Sequence, residues 1–279
     1  MIFGGKKYFK IAFVFFLVAI TYLVSINLSK EKPIYDIELL SNLNKKQFRF
    51  IAHASGGIKG LKYTNSLEAL NQSINSGYKL IEIDLQKTKD DIIVGVHDWK
   101  SFKKYSNYKD NKDEPISYKE FLKLKIHNNL TPLEINIINE IFTKNKDIYL
   151  VTDKINDFDK IYNDFTFNKN RIIVEIFGKK NFELALEKKI INPMFSFNHT
   201  HYKFVIKNNI KIIAAHTLDI SRNKDIYEKL VNKGIQIFAY SSNNKKYIDE
   251  NIGKYFTHVY SDFWNINLNK CNYSECETY

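Results

Sequence analysis

Short apolar runs recur along the chain from residue 48 onward, and most are separated by segments with the apolar spacing of helices. Eight runs predict β-strands at residues 48–54, 80–85, 148–152, 172–177, 194–197, 210–215, 235–240 and 258–260. The segments between them predict helices at 66–76, 132–142, 158–165, 182–189, 202–207, 224–231 and 247–252. This alternation indicates an α/β fold, a (β/α)₈ TIM-like barrel with its site at the carboxyl ends of the strands. A doubly wound open sheet is the alternative, because the pattern does not show closure.

One further apolar run, residues 92–96, follows the strand at 80–85 too closely to be its parallel neighbour. We expect it to turn back as a hairpin with residues 89–91 at the turn. A turn centred between the two aspartates of that segment places His97 opposite Asp84. The returning strand is therefore predicted to bring His97 to the mouth of the barrel.

The amino terminus carries a targeting pattern. Residues 11–26 are apolar and uncharged, and Lys6, Lys7 and Lys10 precede them. With its flanks the stretch approaches the roughly 20 residues that a membrane-spanning helix needs. It exceeds the usual apolar region of a signal peptide, about 7–15 residues, and no small-x-small pair follows. We expect an uncleaved transmembrane anchor rather than a cleaved signal peptide; in either case the part after Leu28 is exported, to the periplasm or the cell surface.

Four segments follow from these patterns: an anchor or signal at 1–28, a linker or short helix at 29–46, a barrel at 47–265 and a tail at 266–279. The 279 residues, 44% of them hydrophobic, are enough for one sizeable core. The net charge of +11 is spread along the chain and interleaved with acidic residues, so no nucleic-acid partner is expected.

The two cysteines, Cys271 and Cys276, lie five residues apart in the tail. They could close a small disulfide loop in an oxidising compartment, or remain two exposed thiols. The spacing and the lack of a nearby histidine argue against a zinc site.

Residues 51–98 hold the densest group of candidate catalytic side chains. Glu82 and Asp84 are two residues apart in a predicted strand and therefore point to the same face. Two carboxylates inside an apolar barrel repel each other and lose solvation unless a cation lies between them. This predicts a hard divalent ion, Mg²⁺ or Ca²⁺, with a solvated edge strand as the alternative. His53 ends the first apolar run, before the flexible residues 54–57.

The combination of these pieces carries a family resemblance. They are His53, then Asn65-Ser66-x-Glu68-Ala69, then Glu82-Ile83-Asp84, then Thr88 and Asp90, then Val96-His97-Asp98. Their order and spacing resemble the glycerophosphodiester phosphodiesterase family, related in fold to the phosphatidylinositol-specific phospholipases C. The resemblance extends through the strand rhythm to Ser261-Asp262. It implies a barrel that hydrolyses phosphodiesters with a divalent ion, Ca²⁺ or Mg²⁺.

The resemblance also implies which residues hold the ion. Glu82 and Asp84 correspond to two metal ligands, and the family's third carboxylate comes from a later strand beside a lysine. The best match for that motif is Asp153 followed by Lys154, at the end of the run 148–152. Asp153 is therefore the expected third ligand, and Lys154 an expected contact of the substrate phosphate.

By the same resemblance, His53 and His97 are the general acid and base on opposite sides of the phosphorus, without an assignment of which is the acid. Asn65 is an expected substrate-binding residue. Glu175, inside the run 172–177, is another, because a carboxylate there points to the barrel mouth or pairs with a lysine. Weaker candidates at later strand ends or beside the His-Asp pair are His199, His201, His216 and Trp99.

Two positions depart from the usual family pattern. Ala54 stands where an arginine usually holds the phosphate, and Thr64 stands where an acidic residue is usual. Relatives with His-Ala-Gly-Gly and Thr-Asn-Ser share both features, so the chain resembles a His-Ala-x-Gly variant subfamily. The phosphate is then expected to rely on the ion, Lys154 and the backbone of residues 55–57.

The expected function is metal-dependent hydrolysis of a glycerophosphodiester, a lipid headgroup or a related glycopolymer by an anchored enzyme. One alternative is a phospholipase-like lyase that stops at a cyclic phosphate. The other is a non-catalytic anchored binding module, which the absence of the arginine allows.

Overall fold

Eight parallel strands close into a barrel in the computed structural model, which describes residues 31–110, 112–271 and 276. The first strand pairs with both the second and the last, so no edge remains open. The predicted (β/α)₈ barrel is confirmed, and the open-sheet alternative is wrong. The barrel strands are β1 Phe50–Ala52, β2 Leu80–Lys87, β4 Tyr149–Asp153, β5 Ile172–Ile176, β6 Pro193–Phe197, β7 Ile212–His216, β8 Gln236–Tyr240 and β9 His258–Ser261.

All seven predicted helices are present, and each lies between two barrel strands. Polar side chains start many of them; the Ser66 hydroxyl, for example, accepts a hydrogen bond from the Ala69 N–H at the first turn of the helix after β1. The helices described are α1 Ile37–Leu43, α2 Leu67–Asn75, α3 Trp99–Tyr105, α4 Tyr118–Phe121, α5 Ile135–Lys144, α6 Phe158–Asp164, α7 Lys179–Glu187, α8 Tyr202–Lys207, α9 Thr217–Arg222, α10 Lys224–Asn232 and α11 Lys245–Asn251.

The alternating strand positions divide the core into two layers. One set of side chains packs outward against the helices, whereas the other fills the barrel and includes Ile51, Leu80 and Phe238. Helix α1 adds Leu39 and Leu43 to the barrel interior. The segment predicted as a linker or short helix therefore contributes to the barrel core.

A short strand, β3 Ile93–Gly95, runs antiparallel to the end of β2, as the hairpin prediction requires. Its register pairs Leu85 with Gly95, and the Val96 N–H donates to the Asp84 carbonyl at 2.9 Å. The predicted register was wrong by one residue, because the turn is centred on Asp90 rather than beyond it.

The chain between β2 and β4 forms an excursion, which we define as residues 88–131. Its apolar side chains, which include Val94, Trp99 and Phe102, form a cluster with Ile58 and Ala69 from the chain between β1 and β2. This cluster packs the excursion as a small folded lobe against the mouth of the barrel.

A hairpin of β10 Trp264–Asn265 and β11 Lys270–Cys271 follows the barrel, and Cys271 forms a disulfide with Cys276. Of the two readings of the cysteines, the structure has the disulfide. No helix within the described residues is long and apolar enough to cross a membrane. The predicted anchor at 11–26 lies outside those residues and stays a prediction.

Candidate active site

The carboxyl ends of the barrel strands surround a cavity of about 360 Å³. It contains seven of the eight predicted site residues: both histidines, the three carboxylates predicted to bind the ion, Lys154 and Glu175. The described residues that line it are His53, Tyr63, Glu82, Asp84, His97, Asp153, Lys154, Glu175, Phe177, His216, Tyr240, Ser241 and Tyr260.

Strand register brings three carboxylates together. Asp84, within β2, is the register partner of Asp153, at the end of β4. Glu82 lies two residues before Asp84 on the same face of β2. Ligand oxygens of the three side chains all lie within 4.8 Å of one another. Glu82 and Asp84 are almost completely buried, so little water reaches this acidic group.

Burial and mutual repulsion disfavour the charged forms of these acids. The pKa of Glu82 lies well above its ordinary value, because of burial and the charges of Asp84 and Asp153. Burial also raises the pKa of Asp153, although the nearby ammonium of Lys154 opposes the increase. Without a further cation, the site is therefore electrostatically unfavourable at neutral pH.

The donor set fits a hard divalent ion. Two oxygens bound to one Ca²⁺ lie at most about 5 Å apart, since each ligand distance is about 2.3–2.6 Å, and the three carboxylates meet this limit. The Glu82 Oε1 atom is buried and has no hydrogen-bond partner. An acceptor left this way in an acidic cluster is suited to coordinate a metal ion. Glu82, Asp84 and Asp153 are thus able to hold a divalent cation.

Lys154 supplies the positive charge among the described residues lining the cavity, which include no other Lys or Arg. Its Nζ lies 3.4 Å from Asp153 Oδ2 and 3.8 Å from Asp84 Oδ1. Burial lowers the Lys154 pKa, but the charges of Asp153 and Asp84 outweigh that effect, and the net pKa is raised. Lys154 therefore stays protonated beside the carboxylates.

Asn65, predicted to bind substrate, contacts a carboxylate. Its amide donates to Asp84 Oδ2 at 2.9 Å and accepts from the Asp84 N–H at 3.1 Å. The side chain is buried and does not line the cavity. These contacts fix the orientation of Asp84.

The turn after β1 also supports the site, through backbone groups. Its residues Ala54, Ser55 and Gly56 all have positive φ angles, which turns the Ala54 N–H toward Glu82 Oε2 at 2.6 Å. The Gly56 N–H donates to the His53 carbonyl, and the Gly57 N–H to the Asp262 carbonyl. The expectation that the backbone of residues 55–57 binds phosphate does not fit the Gly56 and Gly57 N–H groups, because each already has a partner.

His53 forms an ion-pair contact with a buried carboxylate from the far end of the chain. Asp262 Oδ1 lies 3.2 Å from His53 Nδ1. The Asn243 amide donates to Asp262 Oδ2 at 2.7 Å. Burial alone would raise the pKa of Asp262, but His53 and Asn243 outweigh it, so the pKa lies below its ordinary value. Asp262 is therefore ionised and faces the imidazole as an ion-pair partner, although the two atoms are not aligned for a hydrogen bond.

His97 pairs with the neighbouring carboxylate, since its Nδ1 lies 2.9 Å from Asp98 Oδ2. The ring of Tyr63 lies between the two histidines, with centroid distances of 4.6 Å to His53 and 5.6 Å to His97. Burial, followed by the charge of Asp262, raises the pKa of Tyr63, so its phenol is neutral at pH 7. Three rings thus form one side of the cavity.

Of the remaining candidate residues, some line the cavity and others lie outside it. Glu175 is buried in the cavity wall, and burial together with the charge of Asp153 raises its pKa well above the ordinary value. His216 also lines the cavity. His199, His201 and Trp99 do not: His199 pairs with Asp219, His201 packs against Phe195, and Trp99 is in the core of the excursion.

Sequence reasoning missed several residues here. Asp262 lies two residues after the strand predicted at 258–260, and the argument used for other strand ends would have identified it. Asn243 and Tyr63 lie in loops with no periodic pattern, so no signal in the sequence marks them.

A known protein family and several solved structures resemble this chain in sequence or in fold. The model of the glycerophosphoryl diester phosphodiesterase family matches residues 56–263. No curated protein matches the sequence significantly.

Solved structures share the fold. A glycerophosphoryl diester phosphodiesterase from Parabacteroides distasonis is 16% identical, with a TM-score of 0.63, over 88% of this chain and 96% of that chain. A glycerophosphodiester phosphodiesterase from Thermotoga maritima is 17% identical, with a TM-score of 0.60, over 79% and 96%. A phosphodiesterase from Oleispira antarctica, solved with the product sn-glycerol-3-phosphate, is 15% identical, with a TM-score of 0.59, over 82% and 97%.

At these identities the structural likeness shows the fold alone. The family model goes further, because it spans nearly the whole barrel and includes both Glu82 and Asp153. The barrel and the sequence match together lead to one conclusion: the chain belongs to the glycerophosphoryl diester phosphodiesterase family.

Proposed function

We propose that this protein is a divalent-cation-dependent hydrolase of glycerophosphodiesters, with His53 and His97 as its general acid and base. The observation that carries the proposal is the meeting of two histidines and three carboxylates in one cavity of a chain from this family. The Oleispira neighbour, solved with sn-glycerol-3-phosphate, supports glycerol 3-phosphate as one half of the substrate.

The phosphate would bind beside the acidic group. A cation held by Glu82, Asp84 and Asp153, Ca²⁺ or Mg²⁺, would neutralise the phosphoryl oxygens as charge builds on them. The Lys154 ammonium would contact a further phosphate oxygen. Ala54 is fully buried, so its side chain offers no replacement for the arginine usual at that position.

The histidines would transfer protons to and from the substrate. The base takes a proton from the attacking group, and the acid gives one to the departing alcohol. The attacking group is water, or a neighbouring hydroxyl of the glycerol that first gives a cyclic phosphate, which water then opens. Asp262 faces Nδ1 of His53, which favours a proton on that nitrogen and leaves Nε2 for the substrate. Asp98 has the same relation to His97.

We also propose that the barrel is exported and tethered to the membrane by residues 11–26. The uncharged apolar stretch and its preceding lysines support this placement. The Cys271–Cys276 disulfide supports an oxidising compartment. Alkaline phosphatase and green fluorescent protein fused after residue 279 would test it, with phosphatase activity and no fluorescence as the expected result.

The first test of the proposed function is turnover by the full-length protein in mild detergent. We expect hydrolysis of a glycerophosphodiester to glycerol 3-phosphate with Ca²⁺ or Mg²⁺, and loss of the activity in EDTA. Phosphorus NMR identifies the product and distinguishes hydrolysis from a reaction that stops at a cyclic phosphate. No turnover with Ca²⁺, Mg²⁺ or Mn²⁺ would disprove the proposal, and full activity in EDTA would disprove the role of the ion.

Replacement of Asp262 by asparagine tests how His53 is oriented. We expect kcat to fall by about 10²-fold or more with little change in KM, because an amide no longer fixes the imidazole tautomer. Steady-state kinetics measures both constants. The matched control is Asp219→Asn, which changes the carboxylate partner of His199 outside the cavity. Equal losses in the two variants would mean that Asp262 acts only through the fold.

A further inference from the structure

A second cavity, of about 340 Å³, adjoins the catalytic cavity. We call it the outer cavity; its walls are residues 62–65 and 95–98, helix α3 and residues 126–127. Tyr63 and His97 line both cavities. A substrate with its phosphate beside Glu82 and Asp84 can therefore extend one of its alcohols past His97 into the outer cavity.

An aromatic pair forms one wall of the outer cavity. The rings of Tyr105 and His127 stack with centroids 4.4 Å apart and an interplanar angle of 27°. The backbone N–H of His127 donates to the Tyr105 carbonyl at 2.9 Å, which holds the two residues side by side. Phe102 and Ile126 join Tyr105 to the apolar cluster of the excursion. The cavity thus has a rigid wall with an aromatic face, and Tyr105 remains 42% exposed.

Charge argues against a cationic ligand. Lys62 lines the cavity, and the Lys104 ammonium lies 5.7 Å from the Tyr105 ring centroid. Asp98 is the one acid among the described lining residues, and both of its oxygens have partners, His97 and the Ser101 N–H. A quaternary ammonium such as choline would therefore meet Lys62 in the wall and Lys104 beside the Tyr105 ring, and no unpaired carboxylate among the described lining residues.

Neutral hydrogen-bonding groups complete the lining. Thr64 and Ser101 carry hydroxyls, and Thr64 occupies a position where the family usually has an acid. Burial lowers the pKa of His127, so its ring is neutral at pH 7 and has one donor and one acceptor nitrogen. The Thr64 hydroxyl already shares a hydrogen bond with the Ser66 hydroxyl at 3.0 Å, but a hydroxyl can make more than one. Hydroxyl groups of a ligand can therefore find partners here, and an acyl chain would offer these groups none.

We propose that the outer cavity binds the alcohol half of the substrate, and that this alcohol is a hydroxylated ring, a sugar or a cyclitol. The inference rests on the proposed function and specifies its substrate class. The C–H face of such a ring packs on the Tyr105–His127 pair, and its hydroxyls reach Thr64 and Ser101. Small ligands usually occupy pockets of about 300–1,000 Å³, and the outer cavity has the size for one ring.

Two substrates that share glycerol 3-phosphate test the inference: glycerophosphoinositol and glycerophosphocholine. The full-length protein is expected to have a kcat/KM for the inositol diester about fivefold to tenfold above that for the choline diester, since one aromatic contact contributes about 1 kcal/mol. Tyr105→Ala is expected to remove most of this preference, whereas Tyr105→Phe keeps the ring and the preference.

Leu122→Ala is the matched control, because Leu122 lies on the same excursion, is exposed and does not line the outer cavity. It should leave the preference unchanged. Turnover of both diesters without an inositol preference, or an unchanged preference in Tyr105→Ala, would overturn this inference alone. Absence of turnover of both diesters would overturn the proposed function and this inference with it. The wild-type preference decides the question even if Tyr105→Ala fails to fold.

Discussion

Glu82→Gln is expected to reduce kcat by about 10²- to 10⁴-fold, because a bound cation contributes several kcal/mol of transition-state stabilisation. The glutamine keeps the hydrogen bond from the Ala54 N–H, so the local fold has little reason to change. It removes one of the three negative charges that would hold the ion. Kinetics at saturating Mg²⁺ or Ca²⁺ measures the loss.

The same variant should be more stable than the wild-type protein when both are in EDTA. The pKa values of Glu82 and Asp153 are raised in the folded state, so the fold keeps protons that the unfolded chain releases. The free energy of unfolding of the wild type therefore falls as pH rises above 4.5, the ordinary glutamate value, toward the raised pKa. Glu82→Gln removes one contribution to this decline. Chemical denaturation at several pH values measures it.

A divalent cation should reverse that order. An ion that binds the folded wild type at 100 times its Kd adds about 2.7 kcal/mol to the free energy of unfolding. The variant should gain much less. Glu183→Gln, on the exposed surface of α7, is the control and should match the wild type in every measurement. Equal stabilisation of Glu82→Gln and wild type by the ion would show that Glu82 is not a ligand.

Much of this site could be predicted because strand geometry is regular. Side chains two residues apart share a face, which is sufficient to pair Glu82 with Asp84. Parallel strands of a closed barrel end at one rim, which brings in Asp153 from a later strand. The first step uses only the period of the strand, whereas the choice of Asp153 as the third carboxylate came from the family resemblance.

The hairpin shows where that regularity stops. The Thr88 N–H donates to the Ile92 carbonyl, and the Thr88 hydroxyl accepts from the Ile92 N–H, so the loop closes around Asp90. Asp91 takes a positive φ of 64°, which aspartate tolerates. Two consecutive aspartates suit a turn centred on Asp90 as well as one centred between Asp90 and Asp91. The alternation of apolar residues does not distinguish these two turns. Val96 consequently lies opposite Asp84, and His97 is the next residue along the chain.

Contacts between loops were beyond the sequence. Asp262 meets His53 only because the barrel closes and brings the first and last strands together. The Asn243 amide in turn donates to Asp262, and Tyr63 packs on His53 from the loop after β1. For Asn65, the sequence identified the residue but not its contact. Its motif gave the position, but only the fold shows that its amide contacts Asp84.

His97→Ala is expected to lower kcat for a glycerophosphodiester by about 10²- to 10⁴-fold, the usual contribution of a general acid or base. His97 borders both the catalytic and the outer cavities, so it is the histidine beside an alcohol held in the outer cavity. An alkyl alcohol needs a proton as it departs, whereas p-nitrophenolate departs without one. The variant should therefore retain most of its activity on a p-nitrophenyl phosphodiester.

His53→Ala should behave differently and lose activity on both substrates, since the base is needed whatever the leaving group. His199→Ala is the matched control: it also removes a histidine paired with an aspartate, but one that lies outside the cavity, and it should leave both rates unchanged. If the p-nitrophenyl substrate rescues His53→Ala instead, the two roles are exchanged. If neither variant loses activity, the histidines are not the acid and base, and proton transfer must be assigned to other groups at the cavity.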